Sequence, residues 1–289
     1  MHRKYKKTTL MLILACILLA ACGRESASSD VQASSSASTD IEGTLHLTGS
    51  STGEPLMVQI ASRFRTLHPK VEIKIEMGGS ARGIRDVRDG KTDIGMVSRV
   101  LTESEQDLKG FPIARDGIGL MVHKNNPVTT LTSAQVTGIF TGQIKNWREV
   151  GGRNAPIMVI NREDGRGSIE LFKEHFRLRY SDIQAQIVLG ADNPAVIEAV
   201  AAQPNAISMM SVIEADNKEK AGGLIKLVSL DGVAATHASI LSGNYPLSRP
   251  LSLVTRELPT GLLKNFIEYS LSAQVVDIIE NMGFIPYQE

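Results

Sequence analysis

Cysteine is scarce: the 289-residue chain has two, Cys16 and Cys22, both near the N-terminus. The rest of the chain therefore has no disulfide framework and no cysteine metal site. Aromatic residues make up 4% of the sequence, too few for the stacking platforms that hold single-stranded nucleic acid. The formal net charge is 0. Without a basic field, a nucleic-acid partner is not expected. The histidines, at positions 2, 46, 68, 123, 175 and 237, include no H-x-x-H or H-x3-H pair, so metal catalysis is not expected either. The apolar run from Leu10 to Ala21 is too short to cross a bilayer as a finished helix.

The N-terminal segment has the features of an export signal. Arg3, Lys4, Lys6 and Lys7 precede the apolar run, as in a secretory n-region and h-region. The run ends in Leu19-Ala20-Ala21-Cys22, which resembles the bacterial lipobox. Residues 1–21 are read as a lipoprotein signal peptide, and Cys22 as the lipidated first residue that ties the protein to a membrane. Residues 22–42 are rich in Ser, Ala and Asp with almost nothing apolar to bury, and read as a flexible tether. Loss of the signal removes four of the 31 basic residues and leaves an excess of four acidic charges. A protein so charged binds an anion with a local site, not a broad field.

From residue 43, strand and helix patterns alternate. Leu45 and Leu47 mark a strand, and Leu56, Met57, Ile60, Ala61 and Phe64 fall at helical spacing. Val71, Ile73, Ile75 and Met77 share one face of a second strand. Further strand patterns occur at "TDIGMVS", "DGIGLMVHK" and "PIMVIN", and further helical ones at "ARGIRDVRDG", "SAQVTGIF" and "SIELFKEHF". Two amphipathic helical patterns close the chain. Such alternation predicts an α/β fold with open sheets, and the length suffices for two domains.

Three loops share a design: Gly49-Ser50-Ser51-Thr52-Gly53, Gly78-Gly79-Ser80-Ala81-Arg82-Gly83 and Asp164-Gly165-Arg166-Gly167-Ser168. Each lies where a strand gives way to a helix, whose first N–H groups are unpaired and carry positive partial charge. Glycine admits a ligand to the backbone and the hydroxyls add donors. Singly, such a Ser or Thr is an ordinary helix cap; three, with Arg162 ahead of the third, favour an oxyanion site. Ser98-Arg99 add a hydroxyl and a guanidinium. Ile84-Arg85 stand where a nucleotide P-loop needs Lys-Ser/Thr. The first loop also reads as G-x-S-x-G, the nucleophile elbow of serine hydrolases, so Ser51 can attack or hold.

From residue 43 onward the chain resembles the PstS-like family, the phosphate-binding proteins of bacterial ABC transporters. The segments that carry the resemblance are "TGSSTGEPL", "GGSARGI", "DIGMVSR", "DGIGLMVHKNNPV", "IFTGQIKNWREVGG", "REDGRGS", "NYPLSRPL" and "QVVDIIENMGFIP", in the family's order. The resemblance implies a type II periplasmic-binding-protein fold: residues 43–117 and 248–289 form one domain, 118–247 the other, and two crossings make a hinge over a ligand cleft. It implies a monomer without a cofactor that delivers inorganic phosphate to a permease and ATPase complex. The site residues it implies are Ser51, Thr52, Ser80, Arg162, Gly167 and Ser168. Two positions depart from the family pattern. Arg166 replaces a small residue of the third loop. Arg99 stands where one branch has an aspartate that accepts the phosphate proton. Asp116 is then the expected acceptor, ahead of Asp93 and Asp164, with Arg99 pairing either Asp116 or the ligand; as an alternative, Asp116 is a turn residue before Gly117.

The same residues fit other readings. Ser51, Asp116 and His237 stand in hydrolase chain order, but Ser51 lies too near the start of the fold and the other two loops would have no role. Sulfate, molybdate or tungstate are rival oxyanions. An envelope sensor or adhesin on the same fold is a third class.

Overall fold

The computed structural model describes residues 41–190 and 192–287. The signal peptide, Cys22 and all but the last two residues of the tether lie outside the described residues. In chain order the elements are β1 (Gly43–Gly49), α1 (Gly53–Leu67), β2 (Val71–Met77), α2 (Ser80–Arg88), β3 (Ile94–Val97), β4 (Lys109–His123), β5 (Thr130–Leu131), α3 (Ser133–Phe140), β6 (Met158–Arg162) and α4 (Gly167–Phe176). There follow β7 (Ile187–Leu189), α5 (Asn193–Ala201), β8 (Ala206–Ser211), α6 (Val212–Lys220), β9 (Ile225–Leu230), α7 (His237–Leu241), β10 (Ser248–Thr255), α8 (Gly261–Leu271), α9 (Val276–Asn281) and β11 (Ile285–Pro286).

The apolar periods of the sequence become the core contacts. In α1 the residues Leu56, Met57, Ile60, Ala61 and Phe64 are buried along one face, and Phe64 meets Phe266 and Tyr269 edge-on at 5.2 and 5.1 Å. In β2, Val71 and Ile73 are buried while Glu72 and Lys74 face water, the alternation of a strand with one covered face. β1 and β2 pair in parallel with Leu45 opposite Ile73.

A single hydrogen-bonded ladder runs β2-β1-β3-β10-β4-β8-β6-β7. Its continuity comes from β4. The first part of that long strand pairs with β10, from Thr255 opposite Lys109 to Ser248 opposite Gly117. The rest, from Ile118, pairs with β8 and β9. Pro112 cannot donate to a ladder, and it sits opposite Ser252 beside a register shift between Leu251 and Ser252, the position a strand proline tolerates.

Two large apolar cores flank this strand. One gathers side chains from Leu45 to Ala114 and from Leu251 to Phe284, joined by Ile213. The other gathers side chains from Ile118 to Leu247, joined by Ile285. The chain passes from the first core to the second within β4 and returns at the start of β10. Two lobes linked by two crossings form a hinge, and the strand ends that face the cleft carry the candidate site.

Candidate functional site

Three helices begin at the cleft without a side-chain cap. The residues before α1, α2 and α4 are Thr52, Gly79 and Arg166, and none caps its helix through a side-chain hydrogen bond. In α3, α5, α6 and α7 that bond is made, by Thr132, Asp192, Ser211 and Thr236. At α1, Ser50 Oγ accepts from Gly53 N at 3.1 Å. In the same turn Glu54 N donates to Ser50 O at 3.0 Å, and the starts of the three helices bring positive partial charge to the cleft. The loops approach closely. Gly79 has φ of 90°, and a Cβ there would lie 2.8 Å from Gly165 O. Ala81 N donates to Gly165 O across the cleft at 3.1 Å.

The loops meet around a small cavity lined by Ser50, Ser51, Thr52, Gly79, Ser98, Arg162, Arg166, Gly167, Ser168 and Asn193. A wider groove beyond Ser51 is walled by apolar chains such as Met77, Ile197 and Phe284 and by the carboxylates of Glu54 and Asp192. Its charge repels an anion, so the small cavity is the candidate site.

Arg162, at the end of β6, sets the charge of the cavity. It is 1% exposed, and its Nε and Nη1 have no hydrogen-bond partner. Burial, and then the neighbouring Arg166, push its pKa down to about 10, so it stays charged at neutral pH. An unpaired buried charge is costly unless a counter-ion compensates it.

Two further arginines stand behind the hydroxyls. Arg166 Nη1 donates to Ser51 Oγ at 2.9 Å, and its Nη2 to the Gly190 carbonyl. Arg249 Nη2 donates to Thr52 Oγ1 at 3.2 Å, and its Nη1 to Ser98 Oγ and Ser98 O at 3.1 Å each. Asn193 Nδ2 also donates to Thr52 Oγ1, at 2.9 Å. A hydroxyl whose oxygen already accepts has its own proton left to give. Thr52, which accepts twice, is thus held as a donor toward the cavity it lines, and Ser51 and Ser98 each keep a proton to give.

Most of the expected residues meet here: Ser51, Thr52, Ser98, Arg162, Arg166, Gly167 and Ser168 line one cavity. Ser80 lies just behind. It is fully buried, with its Oγ 3.3 Å from Ser98 Oγ and accepting from Ser98 N at 3.1 Å. Gly167 packs so tightly against this pair that a Cβ would come within 2.6 Å of Ser80 Oγ and 2.3 Å of Ser98 Oγ.

Two expectations are corrected. Arg99 does not line the cavity and pairs with neither Asp116 nor a ligand position. Its Nη1 and Nη2 donate to Glu105 at 2.6 and 2.8 Å, and its Nε to Glu170 Oε2 at 2.7 Å. Burial opposes its charge, but the two carboxylates outweigh that and raise its pKa above the ordinary value. Asp116 does not line the cavity either. Its Oδ2 accepts from Arg249 Nη2 at 2.7 Å and Nε at 3.2 Å, and its Oδ1 from Ser211 Oγ at 3.0 Å and Ile213 N at 3.4 Å. Both oxygens are occupied by donors of the protein, and neither is bonded to a histidine, so the Ser51-Asp116-His237 arrangement is not formed.

Three participants went unnamed in the sequence reading: Arg249, Asn193 and Glu214. Arg249 lies inside "NYPLSRPL", where its place at the return crossing was the available signal. Asn193 opens α5, and its side chain ties Thr52 to Glu214 Oε2, the latter at 2.6 Å. Burial, and then Asp116, push the Glu214 carboxyl up to about 8.

A family profile described as a PBP superfamily domain matches residues 34–274. The chain belongs to the PBP superfamily. It is a PstS-like member. The phosphate-binding protein PstS of Bacillus subtilis is 29% identical over 291 residues, covering 98% of this chain and 95% of the relative. A crystal structure with bound phosphate, of a substrate-binding protein assigned to a phosphate ABC transporter of Clostridium perfringens, superposes with a TM-score of 0.77 at 35% identity, over 85% of this chain and 100% of that one. An ABC-type phosphate transport receptor from Vibrio cholerae gives 0.72 at 29% identity over the same shares. The overall fold of this PBP superfamily member matches that of those proteins.

Proposed function

We propose that this protein captures inorganic phosphate in the cleft cavity and delivers it to the permease of an ABC transporter, without chemistry on the ligand. The observation that carries the reading is Arg162: a buried guanidinium with two unpartnered nitrogens, beside hydroxyls with protons to give and the positive ends of three helices. That environment favours a compact oxyanion with a donor for each oxygen. Phosphate bound in the Clostridium perfringens relative supports its identity. Ser51, Thr52, Ser98, Arg162, Arg166, Gly167 and Ser168 are the proposed ligand contacts, and Ser80 supports Ser98 from behind. The domain boundaries are drawn at Gly117 and Ser248, where the chain moves between the two cores. The working form is a monomer, tied to the membrane through a lipid on Cys22 and facing the periplasm or exterior.

Calorimetric titration of the protein with phosphate tests the binding. Saturable one-to-one binding that Arg162→Ala abolishes is the expected result; no binding by wild type overturns the proposal. Metabolic lipid labelling tests the anchor. Labelling should be lost in Cys22→Ala, and unchanged labelling removes Cys22 from that role.

A further inference from the structure

A cavity made only of donors cannot tell hydrogen phosphate from sulfate. Near pH 8 both are compact dianions, and they differ in one proton. Discrimination needs a fixed acceptor that pairs with that proton and repels a sulfate lone pair. Asp116 is not available for this. The cavity hydroxyls do not supply it either. Thr52 Oγ1 already accepts two hydrogen bonds, from Asn193 and Arg249. Ser51 Oγ, Ser98 Oγ and Ser50 Oγ each accept one hydrogen bond, from Arg166, Arg249 and Gly53 N, and each keeps both a proton and a lone pair, so none is a fixed acceptor. Ser168 can turn its hydroxyl either way and so favours neither anion.

Asn193 differs from all of these. It is 5% exposed and lines the cavity. Its Nδ2 donates both hydrogens to the protein, one to Thr52 Oγ1 at 2.9 Å and one to Glu214 Oε2 at 2.6 Å. The group that Asn193 has left for the cavity is its amide oxygen, which can only accept. Reversing the amide would set that oxygen against Glu214 Oε2, which only accepts once the carboxyl ionises above about pH 8. Asp192, the preceding residue, caps α5 by accepting from Ala195 N at 3.0 Å and so fixes the backbone from which Asn193 projects.

We propose that the Asn193 amide oxygen is the acceptor for the ligand's proton, and that Thr52 and Glu214 hold the amide with that oxygen toward the cavity. The proposal rests on phosphate being the ligand. Asn193 determines specificity by direct contact; Glu214 is a positioning residue.

The test is calorimetric binding of phosphate, arsenate, sulfate and molybdate at about pH 8, on wild type, Asn193→Ala and Glu214→Leu, with unfolding midpoints recorded for each. In Asn193→Ala, phosphate should weaken and sulfate should tighten, narrowing their ratio by at least about tenfold. Arsenate, which carries a proton, should move with phosphate, and molybdate with sulfate. Opposite movements cannot arise from a damaged fold. If all four anions weaken together in Asn193→Ala, the acceptor role is overturned. Glu214→Leu should shift the ratio in the same direction by a smaller factor, and an unchanged ratio removes Glu214 from the proposal. Wild type that binds phosphate and sulfate equally overturns the acceptor but leaves an oxyanion site. Wild type that binds sulfate and no phosphate overturns the phosphate reading itself.

Discussion

Arg99 and Glu170 form a latch between the lobes, and removing it should speed ligand release. Arg99 follows β3 in the first lobe and Glu170 lies on α4 in the second, with Nε to Oε2 at 2.7 Å. Arg99 is also held inside its own lobe by Glu105, through contacts of 2.6 and 2.8 Å. When the lobes part, Arg99 keeps Glu105 and only the Glu170 contact breaks, so the closed form alone gains from it. A hydrogen bond between charged partners contributes about 1.5–3 kcal/mol. The Glu170 side chain is 21% exposed, so water competes, and about 1–2 kcal/mol is the better figure. Glu170→Ala should therefore shift the closing equilibrium by about 5–30-fold. The encounter with ligand takes place in the open form, where the contact is absent. Stopped-flow measurements should show phosphate release faster by about that factor and association little changed. Release within about twofold of wild type would refute the latch.

Replacing Arg162 with Met should weaken phosphate binding by about 2–5 kcal/mol, because a desolvated charge partner of the dianion is lost. The same change should raise the unfolding midpoint of the ligand-free protein, since an unpaired buried charge is removed; calorimetry and thermal unfolding read the two effects. Asp116→Asn leaves Arg249 buried without its carboxylate. It should destabilise the fold by about 3–5 kcal/mol in urea unfolding, with phosphate and sulfate affinities changed in parallel. Glu214 introduces a pH dependence. Its folded pKa, raised by burial and then by Asp116 to about 8, exceeds its unfolded value. The stability it contributes is full below the unfolded value and is lost as pH rises through about 8. Urea unfolding of the ligand-free protein should show wild type losing more stability than Glu214→Gln between about pH 6 and pH 9.

The regular elements around the cleft were legible because their signals are local. The apolar period of 56–64 and the alternation of 71–77 each specify one element, and the Gly-Ser loops mark the turns between strands and helices. The loops also identified most of the cavity wall, since glycine and hydroxyls at a helix start have a chemical meaning on their own. What could not be read was the pairing of buried charges. Arg99, Asp116 and Arg249 were each visible, but their partners lie between 6 and 133 positions away, and sequence order does not say which carboxylate faces which guanidinium. The same holds for Asn193. Asp192-Asn193-Pro194 reads as an ordinary helix start, and its place in the cavity depends on the first residue of α5 reaching Thr52 in the other lobe.

Displacement of bound phosphate by competing oxyanions at about pH 8 bears on the whole reading. With the cavity filled by phosphate, sulfate and molybdate at about a hundredfold excess should leave the calorimetric phosphate complex largely intact, because a mismatched acceptor penalises a ligand without a proton. Displacement of phosphate by an equimolar amount of either anion would contradict phosphate as the ligand this site is built to hold.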